Sequence, residues 1–131
     1  MMSIPAELSL RKTESGYRIC FKPVRELWEI FREAELLRPA GSRVEMCPDG
    51  NPVVMVVEWE TTDPAVLKTD ETEICFKNTN TPTTVIIDHG IMEYYGDNGL
   101  IYGAVETEED ILSKRIFIEK GVKQLRIFRQ K

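Results

Sequence analysis

Asp88 and Glu93 form the clearest candidate pair of catalytic carboxylates in the chain. One carboxyl could give a proton while the other takes one or attacks, provided both reach the same substrate atoms. Both are expected in or beside strands, because Val85-Ile86-Ile87 precedes them and Ile91 to Tyr95 surrounds Glu93. In one continuous strand, positions 88 and 93 would face opposite ways, although Gly90 can bend or bulge that register. The plainer expectation is a turn carboxylate and a solvated strand face. His89 is the sole histidine, and a general base needs a positioned partner, so a loop or interface role is expected.

The remaining reactive groups are sparse. Cys20, Cys47 and Cys75 are odd in number and widely spaced, which is a poor disulfide framework. With His89 they lack the close spacing of structural zinc sites, so no metal is expected and the thiols should be free and buried or partly buried. The acidic run Glu106, Glu108, Glu109 and Asp110 lacks the glycine-bearing oxygen constellation of a calcium loop and is expected to be solvated. Trp28 and Trp59 could stack on ring-shaped ligands, but both lie beside apolar runs and are expected in the core or at a domain interface. Tyr94, Tyr95 and Tyr102 flank one hairpin. With simple alternation Tyr94 and Tyr95 face opposite ways, so only one can join a given surface.

The elements that must position these groups are almost all strands. Glu7 to Arg11 and Tyr17 to Lys22 alternate polar and apolar residues around a Ser15-Gly16 turn, and Pro23 ends the second run. Val24, Leu27, Phe31 and Ala34 recur at helical spacing, which predicts one short helix near residues 24–37, stopped by Pro39 and Gly41. A packed irregular connector could carry the same residues. Strands are then expected at Val44-Glu45-Met46, Pro52 to Trp59, Glu73 to Lys77, Thr83 to Asp88, Ile91 to Tyr95, Leu100 to Val105, Lys114 to Ile118 and Lys123 to Phe128. Gly96-Asp97-Asn98-Gly99 reads as a hairpin turn. Short strands at this spacing predict an all-β fold, a two-sheet antiparallel β-sandwich of jelly-roll or concanavalin-like form.

The bulk properties agree. The chain has 131 residues, 42% of them hydrophobic, which suits a single domain over 1–131. Its formal net charge of -5 argues against non-specific phosphate-backbone binding, so nucleic acid is not an expected partner. No apolar run approaches the ~20 residues that span a bilayer, so no membrane is expected. The N-terminus lacks the stretches of a signal peptide, which points to the cytoplasm, although a parent protein could be secreted.

Two blocks of the sequence resemble a known family. Ile4-Pro5-Ala6-Glu7-Leu8-Ser9-Leu10, Gly16, Lys22-Pro23-Val24 and Glu26-Leu27 resemble the segment that opens the C-terminal β-sandwich of glycoside hydrolase family 32. Val85-Ile86-Ile87-Asp88, Glu93, Tyr95 and Asn98-Gly99 resemble that module's later strand and hairpin. The order and separation of the blocks fit, over about residues 4–128. Ala6 stands where the family usually has arginine, His89-Gly90 where it has Arg-Ser, and Tyr95 where it has phenylalanine.

The resemblance implies a supporting role. The family carries its chemistry on an N-terminal five-bladed propeller, in Asn-Asp-Pro and Arg-Asp-Pro phrases and a glutamate beside a cysteine. None of these phrases occurs here, so no catalytic residue can be carried over. The implied function is a non-catalytic module of a fructan- or sucrose-cleaving glycosidase, docked to the propeller on the same chain or on a separate subunit. Leu27, Trp28 and Phe31 are the expected interface. The alternative is an autonomous carbohydrate-binding module using Tyr94, Tyr95 and Tyr102. No cofactor is implied, and a homo-oligomer stays open.

Overall fold

A computed structural model describes residues 6–13, 16–23, 27–41, 43–60, 64–69, 71–76, 81–97 and 100–130. For 6–13 and 16–23 only the backbone course is described. The expected sandwich is present. An antiparallel hairpin, β1 (Ala6–Thr13) and β2 (Gly16–Pro23), comes first. A single helical turn, α1 (Leu27–Ile30), leads directly into β3 (Phe31–Leu37). Then follow β4 (Arg43–Met46), β5 (Val53–Trp59), β6 (Ala65–Lys68) and β7 (Glu73–Phe76). The chain closes with β8 (Thr83–Asp88), β9 (Ile91–Gly96), β10 (Ile101–Glu106), β11 (Ile116–Glu119) and β12 (Val122–Gln130). A 3-10 turn, Ile111–Ser113, lies between β10 and β11.

Besides the hairpin there are two sheets. One has six strands in the order β10-β9-β8-β5-β12-β3, and the other has four in the order β4-β11-β6-β7. All pairings are antiparallel. Their inner faces share one core. Met55, Val57, Ile87, Met92 and Leu125 from the larger sheet meet Leu67, Ile116 and Ile118 from the smaller, with Ile111 and Leu112 of the 3-10 turn. The sheet-switching links need tight turns. Asp49 and Gly50 after β4, and Lys120 and Gly121 before β12, all have positive φ. Glycine adopts that region without steric cost, and Asp tolerates it.

The larger sheet is buried on both faces. Val53, Val54 and Met55 are consecutive and all buried, as are Val85, Ile86 and Ile87. Alternation would send Val54 and Ile86 outward. They are covered there by a second cluster containing Leu27, Phe31 and Tyr95, with Phe128 packed against it. That outer cover explains why β5 and β8 read as unbroken apolar runs.

Two features depart from the sequence expectations. Helical spacing over 24–37 yields only the four residues of α1. Leu27 and Phe31 do share a buried surface, but Ala34 is exposed and the segment from Phe31 pairs with β12 instead. The pairing satisfies the backbone as a helix would, and it sets Glu33 and Glu35 beside Arg126 and Arg129. The register shifts at this point, because Ile127 pairs with Glu35 and Phe128 with Glu33. Ala34 is the extra residue of a bulge. Strand β6 was not expected, since Ala65-Val66-Leu67 is an apolar run without the polar alternation that marks a strand.

Among the described residues no helix is long and apolar enough to cross a membrane.

A truncation pair tests the core assignment. Leu67→Ala removes a fully buried side chain between the sheets. It should cost about 2–5 kcal/mol in chemical denaturation. Leu36→Ala alters a side chain that is half exposed. It should stay within about 0.5 kcal/mol of the parent. Similar costs for both would contradict the packing described.

Candidate functional site

The outer face of the six-stranded sheet gathers most of the candidate residues. Cross-strand partners share a face. One row therefore runs Leu36, Arg126, Val56, Thr84, Tyr95, Tyr102, from one sheet edge to the other. The next row runs Glu33, Phe128, Val54, Ile86, Glu93, Ala104. At the β3 end α1 lies over Phe128 and Val54. At the other end β2 runs close to β9 and β10.

Tyr95 and Tyr102 meet on this face. Their ring centroids are 5.0 Å apart and the rings are tilted by 50°. Tyr95 Oη donates to Glu93 Oε2 at 3.0 Å, and Tyr102 Oη to the same oxygen at 3.4 Å. Glu93 and Tyr95 are buried, while Tyr102 keeps over a third of its surface exposed. Burial first, then the hydrogen bond and negative charge of Glu93, push the Tyr95 hydroxyl well above the usual tyrosine range. Burial and the Glu93 charge act in the same direction on Tyr102.

Tyr94 does not join them. It points inward and packs against the core. It crosses Gly103, its partner on β10, so closely that a Cβ there would lie 2.2 Å from the Tyr94 ring. Glycine is required at that spot for the ring to lie flat on the neighbouring strand. Alternation thus separates Tyr94 from Tyr95 as the spacing predicts.

Asp88 and Glu93 are not on opposite faces. A tight turn through His89 and Gly90, with Gly90 at φ 71, reverses the chain and pairs Asp88 with Ile91. Asp88, Ile91 and Glu93 therefore share the outer face, with the two carboxylates as diagonal neighbours. Such neighbours lie roughly 7–8 Å apart. They have separate partners. Asp88 Oδ1 accepts the His89 backbone N–H at 2.7 Å and lies 3.0 Å from its Nδ1, in an exposed corner. Glu93 is closed in by the tyrosines.

The expected interface residues divide by depth. Leu27 and Phe31 are buried against Val54 and Ile86. Trp28 is 39% exposed and meets Phe128 edge-on, with centroids 5.1 Å apart. Ile30 and Leu36, which sequence reasoning did not single out, are 53% and 51% exposed. Together with Tyr102 these are the exposed large apolar side chains among the described residues. Trp59 turns the other way, packs on the core and donates from Nε1 to Thr83 Oγ1 at 2.9 Å.

Arg129 fastens the edge strand to the smaller sheet's loop. It donates to Glu35 Oε1 from Nε and Nη2, to the Pro48 carbonyl at 2.9 Å and to the Cys47 carbonyl at 3.0 Å. Cys47 is half-buried as expected, but Cys75 is exposed on β7. The short edge strand leaves its alternate side chains uncovered, which corrects the expected burial. The side chain of Cys20 lies outside the described residues. Among the described residues no three His, Cys, Asp or Glu side chains come together as a metal site. The acidic run is not wholly solvated either, because Glu108 is tied into a hydrogen-bond cluster with Thr69 and Thr72.

No family model and no curated protein matches the chain. Solved structures do match. The chain is similar to a glycoside hydrolase family 32 structure from Bifidobacterium adolescentis, with a TM-score of 0.72, 16% identity, and coverage of 98% of this chain and 25% of that one. It is similar to exo-inulinase from Aspergillus awamori, with a TM-score of 0.67, 8% identity, and coverage of 98% of this chain and 35% of that one.

The tyrosine cluster generates a test. Tyr95→Phe deletes one donor to a buried carboxylate and should cost about 1–3 kcal/mol at neutral pH. Because the folded hydroxyl holds its proton more tightly than an ordinary tyrosine at 10.0, its stabilisation is complete below that pH. It is lost as pH rises further. The stability gap between parent and Tyr95→Phe should therefore narrow above about pH 10. Parallel curves would contradict the assignment.

The chain thus spans between a quarter and about a third of the length of these proteins, and its fold is the fold of one part of a family 32 glycoside hydrolase.

Proposed function

We propose that the whole chain is one non-catalytic β-sandwich module of a fructan- or sucrose-cleaving glycosidase of family 32 type, and that it docks on and stabilises a catalytic propeller. The observation that carries this reading is coverage. Nearly all of this chain superimposes on a minor share of much longer enzymes. The opening Glu7-Leu8-Ser9-Leu10 and Lys22-Pro23-Val24 phrases support it. Retaining glycosidases need two carboxyls about 5 Å apart around the sugar bond. Asp88 and Glu93 have different partners, and Glu93 is buried.

The docking surface in this reading is the α1–β3 edge. Trp28, Ile30 and Leu36 present apolar surface there, Leu27 and Phe31 are buried beside them, and Phe128 holds Trp28 edge-on. Aromatic anchors held on a rigid base are the typical high-energy residues of interfaces. A second reading rests on Tyr102. Its exposed ring beside a carboxylate is a small platform for a sugar, which would make the chain an autonomous carbohydrate-binding module.

Three measurements separate the readings. The isolated chain should not hydrolyse sucrose, levan or inulin. Turnover that Asp88→Asn or Glu93→Gln abolishes would overturn the non-catalytic assignment. Calorimetric titration with inulin or levan oligomers at millimolar concentration should give no heat. Heat lost on Tyr102→Ala would favour the binding module. The genomic reading frame around the coding sequence should contain a propeller with an Asn-Asp-Pro phrase, in frame or in an adjacent gene, and its absence would count against the docking role.

A further inference from the structure

We propose that residues 107–113 form an acid-released strap that closes one end of the sandwich, with the Glu108 carboxylate as its latch. The segment leaves the six-stranded sheet after β10 and enters the four-stranded sheet at β11. On the way it is tied to three separate turns. The Thr107 N–H donates to the Gly90 carbonyl of the β8–β9 turn at 2.9 Å. The Leu112 carbonyl accepts the Gly50 N–H of the β4–β5 link at 2.8 Å. Between these ties Glu108 reaches the β6–β7 turn. Its Oε1 accepts from Thr72 Oγ1 at 2.7 Å, its Oε2 accepts the Glu71 backbone N–H at 3.1 Å, and Thr69 Oγ1 stands 2.8 Å from both oxygens. The strap's own Ile111 and Leu112 plug the core, almost wholly buried.

The latch is strongest while the carboxylate is charged and accepts at both oxygens. Protonation removes the charge and turns one oxygen into a donor. A threonine hydroxyl can rotate to accept that proton, so the neutral carboxyl keeps only weaker, uncharged bonds to the threonines and to the Glu71 N–H. Among the described residues the charged groups nearby do not supply a substitute. On the β6–β7 hairpin Lys68 pairs with Glu119, and Glu71 and Glu73 carry the same sign as Glu108. On the strap itself Lys114 pairs with Asp110, and Glu106 and Glu109 are again acidic. On the β8–β9 turn Asp88 and His89 contact each other, and Asp49 adjoins Gly50 on the β4–β5 link. Hydrogen bonds to hydroxyls and an amide therefore hold the latch. Partial burial opposes the charge on Glu108, and the bonds from Thr72 and Thr69 outweigh it, so the carboxyl sits below its ordinary 4.5. A depressed folded value means the stabilisation is present above that pH and is lost as pH falls through the folded value.

Amide hydrogen exchange as a function of pH tests the strap. Protection factors at Glu71 and Gly50 report its two nearer ties, and Val57 at the centre of β5 reports the whole fold. As pH falls below 4.5, Glu71 and Gly50 should lose protection while Val57 keeps its own, the pattern of local opening. Glu108→Ala, which removes both acceptor oxygens, should show the low values at all pH. Thr72→Val, which keeps shape and removes one donor, should open at higher pH than the parent. Simultaneous loss at Glu71 and Val57, or unchanged protection in Thr72→Val, would overturn the proposal.

Discussion

The centre of the larger sheet, at Val54 and Ile86, is apolar on both faces, and the layers above and below it answer to that constraint. Val54 and Ile86 lie between inward neighbours on their own strands, so each must find cover on the outer side. Burying such a side chain is worth about 1.5–3 kcal/mol. An exposed ion pair is worth about 0–1 kcal/mol. The cover thus matters more than the Arg126 pairs with Glu33 and Glu58 beside it. The smaller sheet supplies cover on the inner side. On the outer side Leu27 of the four-residue α1 and Phe31, the first residue of β3, supply it.

A thin cover has a consequence for function. It buries Leu27 and Phe31 but leaves Trp28, Ile30 and Leu36 on the surface beside them. The edge strand below packs apolar side chains at its two ends, Phe31 and Leu37, while its side chains from Arg32 to Leu36 are exposed and Arg129 fastens its middle through Glu35. The face leaves apolar surface uncovered, and under the proposed docking role a propeller would cover it. The 107–113 segment is treated differently. This strap plugs the core from within the chain and is tied by hydrogen bonds to three turns.

Much of this was legible in the residues. The sandwich followed from short alternating runs and their turns, and the opposed directions of Tyr94 and Tyr95 followed from the strand period. The β3 strand was hidden because Leu27 and Phe31 keep helical spacing, and only pairing with β12 decides between helix and strand. The shared face of Asp88 and Glu93 was hidden because alternation holds within a strand and a tight turn resets it. The Glu108 latch had no local signal. Its donors lie more than thirty positions away, at |i−j| of 36 and 39.

The central claim is that the α1–β3 edge is a docking surface for the remainder of a glycosidase. Hydrogen exchange on the chain, alone and mixed with a family 32 catalytic propeller produced as a separate polypeptide, tests it most directly. Protection from Phe31 to Leu37 should rise on mixing, while β7 around Cys75 stays unchanged. No change along β3, or new protection confined to the four-stranded sheet, would contradict the account.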